Sequence, residues 1–342
     1  MATVVLLGLL FLPFLLIGGV VAIFWRSRRR KVLRWTWISY LLTAAVILFG
    51  VGPYLSAWWL VFQTGTRPQD RALTDTPASY GVMYEEIVFE TRDSVRLSGW
   101  FIPPISRNAV ILCTHGLFRN RVEMLPIAMT ACKAGYGALL YDSRSHGSSE
   151  KAKVSLGYFE RNDVLAGIQY IQRRYQDASE QPKIALMGIS MGAVTTLEAA
   201  AESKSYSALI LDSPFSSLRE TVADHTWLFF KMPRYTFASL FLFWFEQLTG
   251  FSPDLVDSHT ALQRALPVPT LLIGSEGDKR MPSGIASWLY DESRAPLKKL
   301  KLFGKEIPHG AAVRMHSEEY SAILLNFLNA ALGQAAVTAE KL

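Results

Sequence analysis

From Ala109 onward, short apolar runs alternate with stretches of helical character, and this alternation restricts the chain more than any other feature. The runs are AVILCT (109–114), YGALLYD (136–142), KIALMG (183–188), SALILD (207–212), PTLLIG (269–274) and LKKLKLFG (297–304). Helices are expected near 121–134, 159–175, 191–203, 282–293 and 316–333. Apolar strands interleaved with helices predict a mostly parallel sheet covered on both faces. Two earlier runs, EEIVFET (85–91) and SVRLSGWFI (94–102), read as an antiparallel edge. About 56 residues separate Asp212 from Pro269, too many for a simple connection. An inserted lid over about 214–262 is expected there. Its uncharged run Tyr235 to Phe245 is far shorter than a membrane span.

The N-terminal part obeys different rules. Ala2 to Trp25 and Trp35 to Phe62 carry no charge, and each exceeds the roughly 20 residues that cross a hydrocarbon core as a helix. The expectation is a transmembrane hairpin over 1–63, with helices at about 3–25 and 36–61 and a basic loop at 26–34. Basic loops stay on the cytoplasmic side. Everything after Phe62 is then expected on the outer face, the periplasmic side of a bacterial inner membrane, in a two-pass arrangement. A cleaved leader fits less well, because the first run lacks a basic start and a small-residue cleavage site. Residues 64–84 are polar and rich in turn formers, and read as a linker on the membrane surface. The main domain is expected over 85–335, with a short tail at 336–342.

The chain has 35 Lys and Arg against 29 Asp and Glu, a net charge of +6. Six of the basic residues, Arg26, Arg28, Arg29, Arg30, Lys31 and Arg34, fall in the expected loop. Without them the remainder balances, 29 against 29. The positive excess is thus a topology signal and argues against nucleic acid as a partner. The two cysteines, Cys113 and Cys132, have no metal-ligand spacing and read as buried free thiols. No metal and no cofactor is expected.

Gly188-Ile189-Ser190-Met191-Gly192 fits G-x-S-x-G and stands between a strand and a helix, the context a nucleophilic serine requires. Gly188 and Gly192 leave room for the tight turn. A serine needs a base to take its proton, and the base needs an orienting acid. In strand-turn-helix enzymes of this type these follow in the order Ser, acid, His. His309, in the loop after LKKLKLFG, is the expected base; His316 reads as helping to start the last helix, and His225 and His259 lie in or beside the insertion. Asp278, after PTLLIG, is the expected acid, with Asp212 and Glu276 as rivals. The oxyanion hole is expected from the backbone N–H groups of Met191 and of Leu117, in the loop His115-Gly116-Leu117-Phe118.

Taken together, HGLFRN, YDSRSHGSS, GISMG, GDKRMP and HGAAVRMHSEEY resemble the α/β-hydrolase superfamily. The chain is similar to bacterial membrane-anchored hydrolases related to dienelactone hydrolases and serine-aminopeptidase-like esterases. The likeness covers about 85–335. It implies an α/β-hydrolase fold, a triad of Ser190, Asp278 and His309, and structural roles for Asp142, Arg144, Glu160 and Asp163. Ser145 departs from the pattern, since relatives usually have glycine there. The expected activity is hydrolysis of a carboxylic ester, a small molecule or a lipid-like acyl ester, through an acyl-enzyme on Ser190. A peptidase or amidase with the same triad is the alternative, and a silent membrane scaffold a further one.

Overall fold

The computed structural model describes residues 29–333 except 72, 74 and 233. The helix expected over about 3–25, residues 26–28 of the expected loop, and the tail 336–342 lie outside the described residues. Eight strands form one sheet: β1 Glu85–Glu90, β2 Arg96–Ile102, β3 Ala109–Thr114, β4 Gly137–Tyr141, β5 Lys183–Ile189, β6 Ala208–Asp212, β7 Thr270–Ser275 and β8 Lys298–Phe303. Their order is β1-β2-β4-β3-β5-β6-β7-β8. β2 pairs antiparallel with β1 and with β4, and all later pairings are parallel.

Alternation of side chains across the pleat divides the interior. Ile111, Met187, Ile210 and Leu271 face one layer; Leu112, Leu186, Leu209 and Leu272 face the other. Every residue of β3, β4 and β6 is buried, as a parallel sheet with two covered faces demands. The first layer holds helices α3 (Leu125–Lys133) and, at the end of the domain, Ser317–Leu332. The second holds α4 (Arg161–Arg174) and α5 (Met191–Glu202). Between β6 and β7 the insertion forms α6 (Leu218–Phe230), α7 (Phe237–Thr249) and α8 (Ser258–Arg264). A helix at Ser283–Glu292, α9, links β7 to β8.

The N-terminal helix corrects the expected boundaries. It already includes Arg29, the first described residue, rather than beginning near 36, so residues 29–34 are helical rather than a loop. Arg and Lys are good helix formers, and nothing in that stretch breaks the ladder. It runs as α1 (Arg29–Val46), a π-helical turn (Ile47–Val51) and α2 (Gly52–Gln63). The π turn has a local cause. Pro53 has no N–H to offer the carbonyl of Phe49, and the N–H of Gly52 reaches back five residues to the oxygen of Ile47. A Cβ on Gly52 would stand 2.9 Å from that oxygen.

The two halves of this helix differ in surroundings. Trp35, Trp37, Leu41, Leu42 and Val46 are each more than half exposed. Ala57 and Val61 are fully buried, in a cluster with Phe241, Leu242 and Phe245 of α7. Tyr54 meets Trp244 edge-on at 5.2 Å, and the carbonyl of Val61 accepts the N–H of Val154 at 2.9 Å. Residues 64–71 continue against the domain. The N–H of Arg67 donates to the oxygen of Phe118 at 3.0 Å, and Thr66 Oγ1 donates to the oxygen of Arg119 at 2.9 Å. This stretch, expected on a membrane surface, is docked on protein.

Candidate active site

Ser190 follows β5 directly and adopts φ 57°, ψ −121°, a conformation that costs a non-glycine residue on the order of 1–3 kcal/mol. Its N–H donates to the oxygen of Asp212 at 2.8 Å, which pins the turn. The flanking glycines are steric necessities. A Cβ on Gly188 would lie 2.1 Å from the oxygen of Gly192, and one on Gly192 would lie 2.3 Å from the oxygen of Thr114.

His309 comes from the loop after β8 and Asp278 from the loop after β7, so both reach the carboxyl edge of the sheet where Ser190 stands. His309 Nε2 is 2.8 Å from Ser190 Oγ, and His309 Nδ1 is 2.6 Å from Asp278 Oδ2. The other oxygen of Asp278 accepts the N–H groups of Arg280 at 2.8 Å and Met281 at 2.9 Å. The rival acids are placed differently. Asp212 is bonded to Ser213 and Tyr320, and Glu276 is exposed. His316 is the N-cap residue of the last helix, makes no side-chain cap bond, and lies near Glu306 and Glu319. His259 pairs with Glu292 at the surface.

In the loop after β3, the N–H of Gly116 donates to Glu123 at 2.7 Å and that of Phe118 to His146 at 3.3 Å. The N–H groups of Leu117 and Met191 have no acceptor among the described residues. His115 and His146 brace this loop. His115 Nδ1 lies 2.8 Å from the oxygen of Gly116 and its Nε2 accepts the N–H of Ser143 at 3.0 Å. Burial, and then the neighbouring His146, pull His115 down to about 3, and burial holds His146 below the ordinary histidine range. Both rings are therefore neutral, and they meet edge-on at 5.2 Å.

Behind the site, Arg144 is 2% exposed and binds Asp163 and Asp93 at 2.6–3.1 Å. Glu160 accepts from Ser155 and Gly157, and Asp142 from Arg121 and Ser148. Ser145 has φ 65°, the left-handed region that glycine adopts most readily; its hydroxyl donates to the oxygen of Ala152 at 2.6 Å. Cys113 and Cys132 are free and buried. Among the described residues, no cluster of His, Cys, Asp and Glu is arranged to hold a metal.

A cavity of about 180 Å³ contains Ser190 and His309. Leu156, Phe215, Phe229 and Met281 supply apolar wall. Four polar residues of the wall were given no role by the sequence motifs: Arg67, Glu123, His225, and Arg280, which stands inside GDKRMP. Burial raises the Glu123 carboxyl above its usual range. His225 is held below the histidine range by burial and then by the charge of Arg280, and its Nε2 is buried without a partner among the described residues.

Comparison with known proteins agrees with this architecture. Residues 105–242 match the family model described as serine aminopeptidase, S33. The uncharacterized protein YqkD of Bacillus subtilis is 25% identical over 236 residues, 68% of this chain and 75% of its own. The alpha/beta hydrolase domain-containing protein WAV2 of Arabidopsis thaliana is 31% identical over 149 residues, 42% of this chain and 46% of its own. The Pyrococcus furiosus esterase Pf2001 superposes with a TM-score of 0.64 at 24% identity, over 80% of this chain and all of its own. On its strand order, its elbow at Ser190 and this superposition, the chain has the α/β-hydrolase fold, and its residues 105–242 resemble the serine aminopeptidase family.

Proposed function

We propose that the protein is a serine hydrolase that cleaves carboxylic esters through an acyl-enzyme on Ser190. The observation that carries this is the imidazole of His309 standing between Ser190 Oγ and Asp278 Oδ2. Ser190 Oγ attacks the acyl carbon while its proton passes to His309 Nε2. The N–H groups of Leu117 and Met191 receive the developing oxyanion. Asp278 holds the imidazole through Nδ1 and stabilises its charged form. Collapse expels the alcohol, which takes the proton from His309. Water, deprotonated in turn by His309, then clears the acyl group as the acid.

The match to a serine-aminopeptidase model favours a second reading, an amide substrate with the same three residues. An aminopeptidase must hold a substrate ammonium. The carboxyl of Glu123, the nearest acid for that task in the cavity wall, is engaged by the Gly116 N–H and by Arg119 at 3.2 Å. The cavity is otherwise cationic, which supports the ester.

The uncharged helix from Trp35 to Val51 spans about 25 Å at 1.5 Å per residue, near the thickness of a hydrocarbon core. By length and composition this stretch belongs to a helix able to cross a membrane. We read it as an anchor with the basic cluster on the cytoplasmic side, the domain on the outer face, and residues 214–262 as a lid over the site. Proximity to lipid then favours amphiphilic esters.

A fluorophosphonate probe tests the chemistry. Wild-type protein is expected to label at Ser190 and Ser190→Ala to stay unlabelled; an unlabelled wild type would sink the enzyme reading. A panel of matched esters and aminoacyl amides then separates the two substrates, with ester turnover expected to exceed amide turnover. Reporter fusions at residue 333 test the outer location.

A further inference from the structure

Two guanidinium groups line the Ser190 cavity without an ion-pair partner among the described residues. Arg67 arrives from the segment just beyond α2, four residues past Gln63. Arg280 arrives from the loop after β7, two residues past Asp278. Arg119, beside them, is satisfied by Asp70 at 2.9 Å and Glu123 at 3.2 Å. Among the described residues, the guanidinium groups of Arg67 and Arg280 make no ion pair and no hydrogen bond, although the backbone N–H of Arg280 donates to Asp278. Both are nevertheless positioned. The backbone N–H of Arg67 is fixed to Phe118, and the guanidinium of Arg280 lies over the ring of Phe229 at 5.4 Å. A stacked guanidinium keeps its edge N–H donors free.

We propose that Arg67 and Arg280 form a subsite for an anionic group, carboxylate or phosphate, carried by the ester that Ser190 attacks. Burial, and then the charge of Arg119, hold Arg67 below the ordinary arginine value; Asp70 and Glu123, both already paired to Arg119, and the charge of Arg280 pull in opposite directions without restoring it. The fork geometry of guanidinium suits both oxyanions. The apolar wall of Leu156, Phe215 and Met281 would take the hydrocarbon part. The substrate class is thus an anionic amphiphile or a short anionic ester. The inference rests on the Ser190 reading for its chemistry but not for its binding test.

The test uses two pairs of matched esters on the full-length protein in detergent. One pair is an aryl ester of a dicarboxylic acid with a free terminal carboxylate, against the ester of the monocarboxylic acid of equal length. The other is a 1-acylglycerol 3-phosphate against the 1-acylglycerol. Wild type is expected to favour a charged member in kcat/KM by on the order of tenfold or more. A preference confined to the phosphate pair assigns a lipid headgroup; one confined to the carboxylate pair assigns a small anionic ester. Arg67→Gln and Arg280→Gln are each expected to reduce the ratio of charged to neutral by about tenfold, and high salt to weaken it. Binding to Ser190→Ala by calorimetry gives a second readout, with the same order of preference and the same loss in the arginine variants. Equal affinity and equal turnover for both members of both pairs would overturn the anion subsite while leaving Ser190 chemistry standing. Anion-selective binding without any turnover would do the reverse.

Discussion

The phenol of Tyr320 donates to Asp212 Oδ2 at 2.8 Å, and this bond separates two carboxyls that the sequence offers as partners of His309. The second oxygen of Asp212 accepts from Ser213 Oγ at 2.9 Å, so Asp212 is committed to structure. Asp278→Asn is expected to lower kcat by roughly 10³–10⁴-fold with little change in the denaturation midpoint. Tyr320→Phe leaves Asp212 short of a donor and is expected to cost about 1–3 kcal/mol of stability while retaining fluorophosphonate labelling. Urea titrations and labelling rates read both. A large rate loss in Tyr320→Phe with none in Asp278→Asn would exchange the two roles.

Gly192 gives a sharper test of the elbow. In an ordinary helix, glycine to alanine stabilises by about 1 kcal/mol. Here the added Cβ would stand 2.3 Å from the oxygen of Thr114 and 2.6 Å from that of His115, both backbone atoms. Gly192→Ala is therefore expected to destabilise by several kcal/mol and to lose labelling at Ser190. A variant as stable as wild type, by thermal melt, would mean the elbow is looser than its geometry.

Much of this was legible from the sequence because the signals are local. Each strand is a continuous apolar run, and the G-x-S-x-G turn needs only its immediate neighbours. The expected strands and helices that build the sheet and its covering layers agree with the structure to within about four residues. Ser190, Asp278 and His309 follow from strand order, since each stands in the loop after its strand. What was not legible depends on docking. The segment holding Thr66 and Arg67 has the polar, turn-rich composition of any linker, and nothing in that composition records that Phe118 accepts its backbone N–H. Arg67 was invisible for that reason. Arg280 was visible only as part of a turn, because a missing counter-ion is a property of the space around it.

Acid should weaken the loop that carries Leu117. His115 and His146 are neutral in the folded protein, His115 with a pKa of about 3 and His146 also depressed. Each uses Nε2 as an acceptor, for the N–H of Ser143 and the N–H of Phe118. Protonation would set an N–H donor against an N–H donor. A depressed pKa means the unfolded chain binds the proton first, so this stability is complete above about pH 6.5 and falls as pH drops toward 3. Melting temperature is expected to decline through that window. His115→Asn removes one titration and should decline less steeply, from a lower starting value. Parallel pH profiles for variant and wild type would count against this assignment.

The helix that leads into the domain should matter to stability in its second half only. Ala57 and Val61 bury themselves against Phe241, Leu242 and Phe245, and the carbonyl of Val61 holds the N–H of Val154. A chain beginning at Gly52 keeps all of these contacts and sheds the exposed apolar stretch. A chain beginning at Thr64 strips the cover from α7, leaving three large side chains facing solvent. Loss of one such buried aliphatic or aromatic contact surface typically costs about 1.5–3 kcal/mol per side chain, so the shorter chain is expected to melt lower, bind a hydrophobic dye and aggregate. The longer one is expected to stay monomeric in less detergent than full-length protein requires. Equal melting temperatures and equal dye binding for the two truncations would show that α2 is a passive tether, and the coupling between anchor and insertion would have to be abandoned.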